Sequence, residues 1–328
     1  TEDPFDLYGV YYDKNEKRFR RLPKSVAELL DDNVNTEYLA KCTAGGRVCF
    51  STDAKEITLK VSYDGLCAMP HMPLTGSSGF VLLEQTDKKE MFIKSIAPSF
   101  EDKNGFERTV PLGGGKLKSY ILYFPLYNGV NNLEIGIENT ARIKHGKKYK
   151  HLKPILYYGS SITQGAAAIR PDTSYQAIIS KWTGIDYINM GLSGHAHAEN
   201  AILEYLQDIE CCVFVYDYDH NAYDAEYLEK THYTFYEKYR QANPTVPVIM
   251  LSSPNTERLA EGFERRRIIK KSYEKAISNG DKNVYYIDGY FLFGKKDRDI
   301  CIVDGSHPTD LGFYKMAKAI YYKLIKIF

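Results

Sequence analysis

The apolar positions of the chain follow two different rhythms, one in each half. Up to about residue 150, short apolar or alternating runs are separated by turn residues such as Gly and Asn. These runs predict strands at 47–50, 56–63, 79–83, 91–93, 118–124 and 131–137, and only 25–31 has helical spacing. Many short strands at such intervals are typical of an antiparallel sandwich. We therefore expect an antiparallel, jelly-roll-like β-sandwich in this half.

Beyond this point, strand-like runs alternate with helical patterns. Strands are predicted at 155–158, 186–190, 211–216, 247–251 and 283–287, and helices at 174–182, 199–207, 224–241, 262–278 and from 310 to the end. Thr173 and Thr309 are predicted to cap the first and the last of these helices. Five strands with intervening helices predict a doubly wound parallel sheet. The chain is thus expected to contain two domains, 1–150 and 151–328.

Polar residues follow directly after the strands of the second half. Ligands bind beyond the carboxyl ends of the strands in a sheet of this type. Ser, Gly, Asp and Asn are also ordinary turn residues, so their joint placement at one edge carries the signal. The segments are Gly-Ser-Ser-Ile-Thr-Gln-Gly at 159–165, Gly-Leu-Ser-Gly-His-Ala-His at 191–197, Asp-Tyr-Asp-His-Asn at 217–221, Ser-Ser-Pro-Asn at 252–255 and Asp-Gly-Ser-His-Pro at 304–308.

These segments hold the groups that acyl transfer requires, namely a nucleophile, a base, an orienting acid and donors to an oxyanion. One of the two serines at 160–161 can supply the nucleophile. His307 can act as the base, and Asp304 is close enough along the loop to hold its tautomer. The amide of Asn221 and the backbone N–H of Gly194 are the candidate donors to the oxyanion.

The segments resemble the sequence blocks of the SGNH hydrolases, also called GDSL-type esterases, over about residues 154–328. The first block, Gly-Asp-Ser in that family, is matched by Gly-Ser-Ser at 159–161, and the last, Asp-x-x-His, by Asp304 and His307. The second-block glycine and third-block asparagine are matched by Gly194 and Asn221. The resemblance implies a flavodoxin-like α/β/α fold and a carboxylic ester hydrolase with no cofactor and no metal. It also implies a triad of Ser161, Asp304 and His307, and an oxyanion hole of Ser161, Gly194 and Asn221.

The first half is similar to the β-sandwich that precedes the hydrolase domain in some bacterial members, notably those acting on acylated carbohydrates. The resemblance implies that the substrate is a short-chain ester, with acetyl as the expected acyl group, on a sugar or oligosaccharide. The first half is expected either to form one wall of the site or to act as a spacer.

Two positions depart from the family pattern. Ser160 stands where the first block has Asp, which is not the nucleophile, so we expect activity with a different local support of the turn. The third block reads Asp-His-Asn-Ala at 219–222 in place of Gly-x-Asn-Asp. His220, beside the matched asparagine, is expected either to contact the substrate or to satisfy a loop.

Two alternatives stay open. Gly-His-Ala-His at 194–197 resembles the last block of the metallophosphoesterases, and His195, His197 and Asp219 would then hold a metal. The other blocks of that family are absent from the sequence. The second alternative is a carbohydrate-binding protein with a catalytically inactive hydrolase fold, against which the intact Ser161, Asp304 and His307 argue.

Charge and composition restrict the partners. The 328 residues carry a formal net charge of +1, so no nucleic acid partner is expected. No apolar run approaches the roughly 18 residues that span a bilayer, so no membrane partner is expected either.

The cysteines indicate the compartment. Six cysteines without a Cys-x-x-Cys pair favour a reducing compartment, hence the cytoplasm. Because the chain does not begin with Met, export with removal of a leader is the alternative. The oligomeric state is left open.

Overall fold

The computed structural model describes residues 2–87, 89–151, 153–296 and 298–328. In the first half the strands are β1 (Asp6–Tyr8), β2 (Tyr11–Asp13), β3 (Arg18–Arg20), β4 (Arg47–Thr52), β5 (Glu56–Ser62), β6 (Phe80–Gln85), β7 (Glu90–Ile96), β8 (Gly105–Pro111), β9 (Lys118–Tyr123), β10 (Asn132–Gly136) and β11 (Ile143–His145). The helices of this half are α1 (Lys24–Ala27), α2 (Asn33–Lys41) and α3 (Leu74–Ser77).

Strands and helices alternate in the second half, as predicted. The strands are β12 (Ile155–Gly159), β13 (Tyr187–Gly191), β14 (Val213–Asp217), β15 (Val248–Leu251) and β16 (Val284–Ile287). The helices are α4 (Ser161–Gln164), α5 (Tyr175–Thr183), α6 (Asn200–Gln207), α7 (Ala225–Ala242), α8 (Gly262–Ser278) and α9 (Asp310–Ile327).

Two antiparallel sheets make up most of the first half. One has the strand order β1-β4-β9-β6-β7, with β11 also paired to β4, and the other has the order β10-β5-β8. Alternate residues of β5, namely Ile57, Leu59 and Val61, are buried in a core that β4, β6 and β9 line from the other sheet. This period of two is what a half-buried strand requires. The predicted antiparallel fold of this half is confirmed.

The second half is a five-stranded parallel sheet of order β13-β12-β14-β15-β16. Numbered along the chain this is the flavodoxin-like order 2-1-3-4-5, which places a crevice between β12 and β14. Neighbouring residues of β12 face opposite sides: Tyr157 packs in the core that includes α5 and α9, and Tyr158 in the core of α6, α7 and α8. The predicted doubly wound sheet is confirmed.

The predictions for single elements were less complete. Helix α2 was missed because it buries only Thr36, Leu39 and Ala40, a stripe too narrow to show as helical spacing. Five strands of the first half were also not predicted. Four of them, β1, β2, β3 and β11, span only three residues each, and the fifth, β8, buries only two of its seven residues. Thr173 does not cap α5, because Ser174 occupies the N-cap position and the Thr173 hydroxyl lies against the carbonyl oxygen of Arg170 and the carboxylate of Asp310. Thr309 does cap α9.

Buried polar contacts tie the two halves together next to the carboxyl ends of β12 and β13. The guanidinium of Arg21, fully surrounded by protein, donates to the carbonyl oxygens of Asn189 (3.0 Å) and Gly191 (2.9 Å). The Gln164 side chain donates to the carbonyl oxygen of Leu126 at 3.2 Å. The first half therefore packs directly against the elements that carry the candidate site. The boundary at residue 150 stays a prediction.

Across the described ranges, no helix combines enough length with enough apolar character to cross a lipid bilayer.

Candidate active site

The turn after β12 gives its two serines different roles. Ser160 is fully buried, has extended backbone angles and occupies the N-cap of α4. Its hydroxyl oxygen accepts from the backbone N–H of Ile162 at 3.2 Å, which satisfies one of the open donors at a helix start. Ser161 is the first residue of α4 and keeps 9% of its surface exposed. Ser160 thus supplies the cap that an Asp at this position would also supply.

The backbone at Gly159 runs very close to the neighbouring strand. A Cβ at this position would lie 1.9 Å from the carbonyl oxygen of Asp217. That carbonyl accepts from the backbone N–H of Ser160 at 3.1 Å, which holds the start of the turn against β14. Only glycine permits this approach.

Ser161, His307 and Asp304 form one hydrogen-bonded chain at the carboxyl edge of the sheet. The Oγ of Ser161 lies 2.9 Å from Nε2 of His307, and Nδ1 of His307 lies 2.7 Å from Oδ2 of Asp304. Both distances are within hydrogen-bond reach of a nucleophile, a base and an orienting acid. The structure therefore brings together the three residues that the sequence predicted as a triad.

Asp304 is held as a carboxylate by its own loop. Partial burial favours the neutral acid, but the backbone N–H and ring of His307 and the backbone N–H of Ser306 outweigh it and hold the pKa of Asp304 well below its usual range. The two N–H groups donate to Oδ1 at 2.9 Å and 3.1 Å, which leaves Oδ2 for the imidazole. The carboxylate is thus available to fix the tautomer of His307.

Residues that follow β14 and β15 lie next to the loop that carries Asp304 and His307. The amide of Asn255 donates to the carbonyl oxygen of Ser306 at 2.5 Å. The hydroxyl of Ser253 lies 2.6 Å from Nε2 of His220. Burial, with the nearby His307, lowers the pKa of His220 to about 3, so this ring is neutral at physiological pH. His220 satisfies a loop contact, one of the two roles that the sequence left open.

The candidate oxyanion donors lie on loops that contact each other. Gly194 has a φ of +74°, and a Cβ there would find no atom within 4 Å, so the backbone is left open on that side. The Asn221 side-chain oxygen accepts from the backbone N–H of Ala196 at 3.3 Å. This bond joins the second and third blocks and fixes the amide so that its NH₂ group remains available as a donor. The backbone N–H of Ser161, in the first turn of α4, has no acceptor within the helix.

The metal set of the phosphoesterase alternative is not assembled. His195 lies 3.1 Å from Asp32, while Asp219 accepts from the backbone N–H of Ser253. Over the described part of the chain, His195, His197 and Asp219 do not form a group whose ligand atoms lie within 4.8 Å of one another. The groups that do are His71, Asp304 and His307, and Asp31, His197 and Glu199.

Two residues from the first half reach the triad, and the sequence analysis missed both. The His71 ring stacks on that of His307, with centroids 5.2 Å apart and an interplanar angle of 13°. The Tyr127 hydroxyl donates to the carbonyl oxygen of Ser161 at 3.4 Å. No local pattern around either residue indicates a site, because the tertiary packing of the two halves creates these contacts. The first half thus borders the site.

A cavity of about 720 Å³ lies in the first half, and Ser161, His307 and Asp304 are not among the residues that line it. It is lined by charged and polar groups that include Arg18, Glu37, Tyr38 and Asp64. The cavity contains neither a nucleophile–base pair nor any of the strand-end segments. This cavity is therefore distinct from the site that Ser161, His307 and Asp304 form.

Ser, His and Asp joined by hydrogen bonds at the carboxyl edge of a flavodoxin-like sheet are the arrangement of a serine hydrolase. The polypeptide chain belongs to the GDSL-like lipase/acylhydrolase family, whose profile matches residues 152–326. The profile of the N-terminus of SGNH-hydro-type esterases matches residues 1–143. The predicted family and the predicted class, a carboxylic ester hydrolase, are confirmed.

Solved structures show the same two-part fold. A protein from Bacteroides ovatus described as a GDSL-like lipase is 27% identical, with 98% of this chain and 95% of the other covered and a TM-score of 0.87. A salicylyl-acyltransferase from a tetracycline biosynthetic pathway is 19% identical, with 100% and 96% covered and a TM-score of 0.80. An acetyl xylan esterase from the rumen bacterium Butyrivibrio proteoclasticus is 12% identical, with 99% and 96% covered and a TM-score of 0.63. None of the curated proteins matches the chain.

Proposed function

We propose that the protein removes short acyl groups, acetyl first among them, from carbohydrate esters through a Ser161–His307–Asp304 triad. The observation that carries this proposal is the continuous chain of 2.9 Å and 2.7 Å contacts from the Ser161 hydroxyl through His307 to Asp304. Ser161 follows β12, while Asp304 and His307 lie on one segment between β16 and α9. The three residues meet at the carboxyl edge of the sheet, where folds of this type bind their ligands.

In the first step, Ser161 Oγ attacks the ester carbonyl while His307 Nε2 takes its proton. Asp304 keeps Nδ1 protonated and stabilises the imidazolium that results. The carbonyl oxygen, now negative, is held by the backbone N–H groups of Ser161 and Gly194 and by the Asn221 amide. His307 then protonates the leaving alcohol, and the acyl group remains on Ser161.

In the second step, His307 removes a proton from water, and the water attacks the acyl-enzyme. The same oxyanion donors serve the second tetrahedral intermediate. His307 returns the proton to Ser161 Oγ, the ester bond to the enzyme breaks, and the carboxylic acid leaves. Water and ester are the only reactants that this sequence of steps needs.

The substrate class has separate support. The acetyl xylan esterase described above shares the fold over almost its whole length, and so does a family two carbohydrate esterase from Clostridium thermocellum whose structure contains cellohexaose. The likeness to these two proteins is a likeness of fold, and it motivates acetylated oligosaccharides as the first substrates to assay. The sequence also has no long apolar stretch that would serve as a lipid-binding lid.

The test is a series of 4-nitrophenyl esters from acetate to octanoate, run beside acetylated xylo-, gluco- and manno-oligosaccharides, with Ser161→Ala as the control. We expect kcat/KM to be highest for acetate and Ser161→Ala to be inactive on every substrate. A maximum at the longest acyl chains would contradict the proposed substrate. Activity that survives Ser161→Ala would contradict the proposed nucleophile.

An acyltransferase is the second candidate, because the salicylyl-acyltransferase has the same fold over the full length of this chain. An acyl-enzyme can pass its acyl group to an alcohol as well as to water. The assay is therefore repeated with glycerol and with a cello-oligosaccharide as acceptors. Acetylated acceptor in excess of acetate, at low acceptor concentration, would favour transfer over hydrolysis.

A further inference from the structure

His71 belongs to the first half of the chain but lies against the triad of the second. It precedes α3, in a short turn where the backbone N–H of Met72 donates to Met69 at 3.2 Å. The Met72 side chain is buried in the core shared with β12 and α9, which anchors the turn to the catalytic sheet. The position of His71 is therefore set by the packing between the two halves.

The stacking of His71 on His307 is close and nearly parallel. The ring centroids are 5.2 Å apart and the planes differ by 13°. A ring atom of His71 also lies within 4.8 Å of the carboxylate of Asp304. Nearly parallel rings at this centroid distance are offset, so His71 covers part of one face of the base and restricts rotation of the His307 ring toward that side.

Stacking has an electrostatic consequence during the reaction. His307 becomes an imidazolium when it takes the proton of Ser161. A cation over an aromatic face within about 6 Å of the ring centroid is stabilised, by roughly 0.5–2 kcal/mol for the better-studied rings. The π-face of an imidazole ring offers a surface of the same kind. His71 lies at the distance where this stabilisation operates.

The nitrogen chemistry of His71 makes a clean substitution possible. Its Nε2 is buried and has no hydrogen-bond partner in the part of the chain that the structure describes. His71→Phe therefore keeps an aromatic ring against His307 without leaving a former partner unpaired. His71→Ala removes the ring altogether, so the two variants separate the stack from the fold of the turn.

We infer that His71 is a positioning residue for His307. Its ring holds the His307 imidazole in line between Ser161 Oγ and Asp304 Oδ2 and stabilises the imidazolium formed in each step. This inference rests on the proposed function, since it assigns His71 a role only through His307. It makes the first half of the chain a part of the catalytic centre.

The test measures kcat and KM for 4-nitrophenyl acetate with wild type, His71→Ala, His71→Phe and the surface control His145→Ala. The active sites of each preparation are counted by fluorophosphonate labelling, so that misfolded protein does not lower the apparent kcat. We expect His71→Ala to lose about 5- to 30-fold in kcat, the equivalent of about 1–2 kcal/mol, with KM changed less than about twofold. His71→Phe is expected to recover kcat to within about twofold of wild type.

The outcomes separate this inference from the proposed function. A kcat for His71→Ala equal to that of wild type would overturn the inference, and so would a kcat for His71→Phe as low as that for His71→Ala. A loss confined to KM would also overturn it, because it would place His71 in substrate binding. If wild type is neither labelled nor active, or if Ser161→Ala is as active as wild type, the proposed function itself fails.

Discussion

Ser161 and His307 are 146 positions apart in the chain, yet their side chains meet at 2.9 Å. Ser161 opens the helix after the first parallel strand, and His307 lies between the last parallel strand and α9. The flavodoxin-like strand order brings these distant loops to one edge of the sheet. The contact between the two side chains is the one that a serine nucleophile and its histidine base require.

The two neighbouring serines provide the first prediction. Ser161→Ala removes the nucleophile and should lower kcat on 4-nitrophenyl acetate by on the order of 10⁶-fold. Ser160→Ala removes only the cap of α4, so it should keep most of the activity and lose roughly 1 kcal/mol of stability. Steady-state kinetics and urea unfolding of both variants check this. The reverse pattern of activities would reassign the nucleophile to Ser160.

The second prediction concerns the orienting acid. Asp304→Asn leaves the loop length and shape unchanged but no longer fixes the tautomer of His307, so kcat should fall by on the order of 10⁴-fold. Asp299→Asn, an exposed carboxylate in a nearby turn, is the matched control and should stay within about twofold of wild type. Equal activity of the two variants would show that Asp304 does not serve the triad.

The third prediction concerns the oxyanion. Asn221→Ala removes one proposed donor and should cost about 10²–10³-fold in kcat with little change in KM, because the donor acts on charge that develops during the reaction. The substitution also removes the acceptor for the backbone N–H of Ala196, so a thermal unfolding scan is needed beside the kinetics. A change in KM alone would assign Asn221 to substrate binding.

The fourth prediction concerns Asp217, a buried carboxyl group at the end of β14. Burial and then the charge of Asp219 raise the pKa of Asp217 well above its usual value of 3.8, although the Thr163 hydroxyl opposes the shift. Above about pH 4 the unfolded chain therefore releases this proton while the folded protein keeps it. The free energy of unfolding must fall as the pH rises between the unfolded and the folded pKa, and the loss is complete above the folded one.

Asp217→Asn should accordingly flatten this pH dependence. The amide carries no titrating proton, so the free energy of unfolding of the variant, measured relative to that of wild type, should be higher at pH 8 than at pH 4. Urea unfolding at the two pH values provides the measurement. Glu210→Gln, whose side chain is 80% exposed, is the control and should change by less than about 0.5 kcal/mol. An unchanged pH profile for Asp217→Asn would refute the assignment.

The sequence placed Ser161, Asp304 and His307 at one edge of the sheet because its signals are local. Gly159 and Ser161 follow directly after an apolar run that predicts a strand, and the Asp304–His307 segment lies between the last predicted strand and the last predicted helix. The rule for sheets of this type then brings these segments to one edge. The same reasoning could not find His71 or Tyr127. Both contacts depend on how the two halves of the chain pack against each other, so neither leaves a pattern in the sequence.

The long and fully buried elements of the fold were predictable from the sequence, and the short ones were not. Strands β12 and β14 are buried on both faces, so they appear in the sequence as continuous apolar runs. Helix α9 is long enough to show a clear helical spacing of apolar residues, and its N-cap residue Thr309 indicates where it begins. Helix α2 and the three-residue strands bury too few side chains for a period to show. The interpretation of Thr173 as a cap was wrong because Thr173 ends a separate turn and Ser174 occupies the N-cap of α5. The hydroxyl of Thr173 instead makes a tertiary contact with Asp310 on α9.

The central claim is that Ser161 is a nucleophile activated by His307, and covalent labelling tests it most directly. Wild type, Ser160→Ala, Ser161→Ala and His307→Ala are treated with a fluorophosphonate, digested and analysed by mass spectrometry. The account predicts one adduct, on Ser161, in wild type and in Ser160→Ala, and a rate of labelling at least about 10³-fold lower in His307→Ala. An adduct on Ser160, or labelling of Ser161 that does not depend on His307, would contradict it.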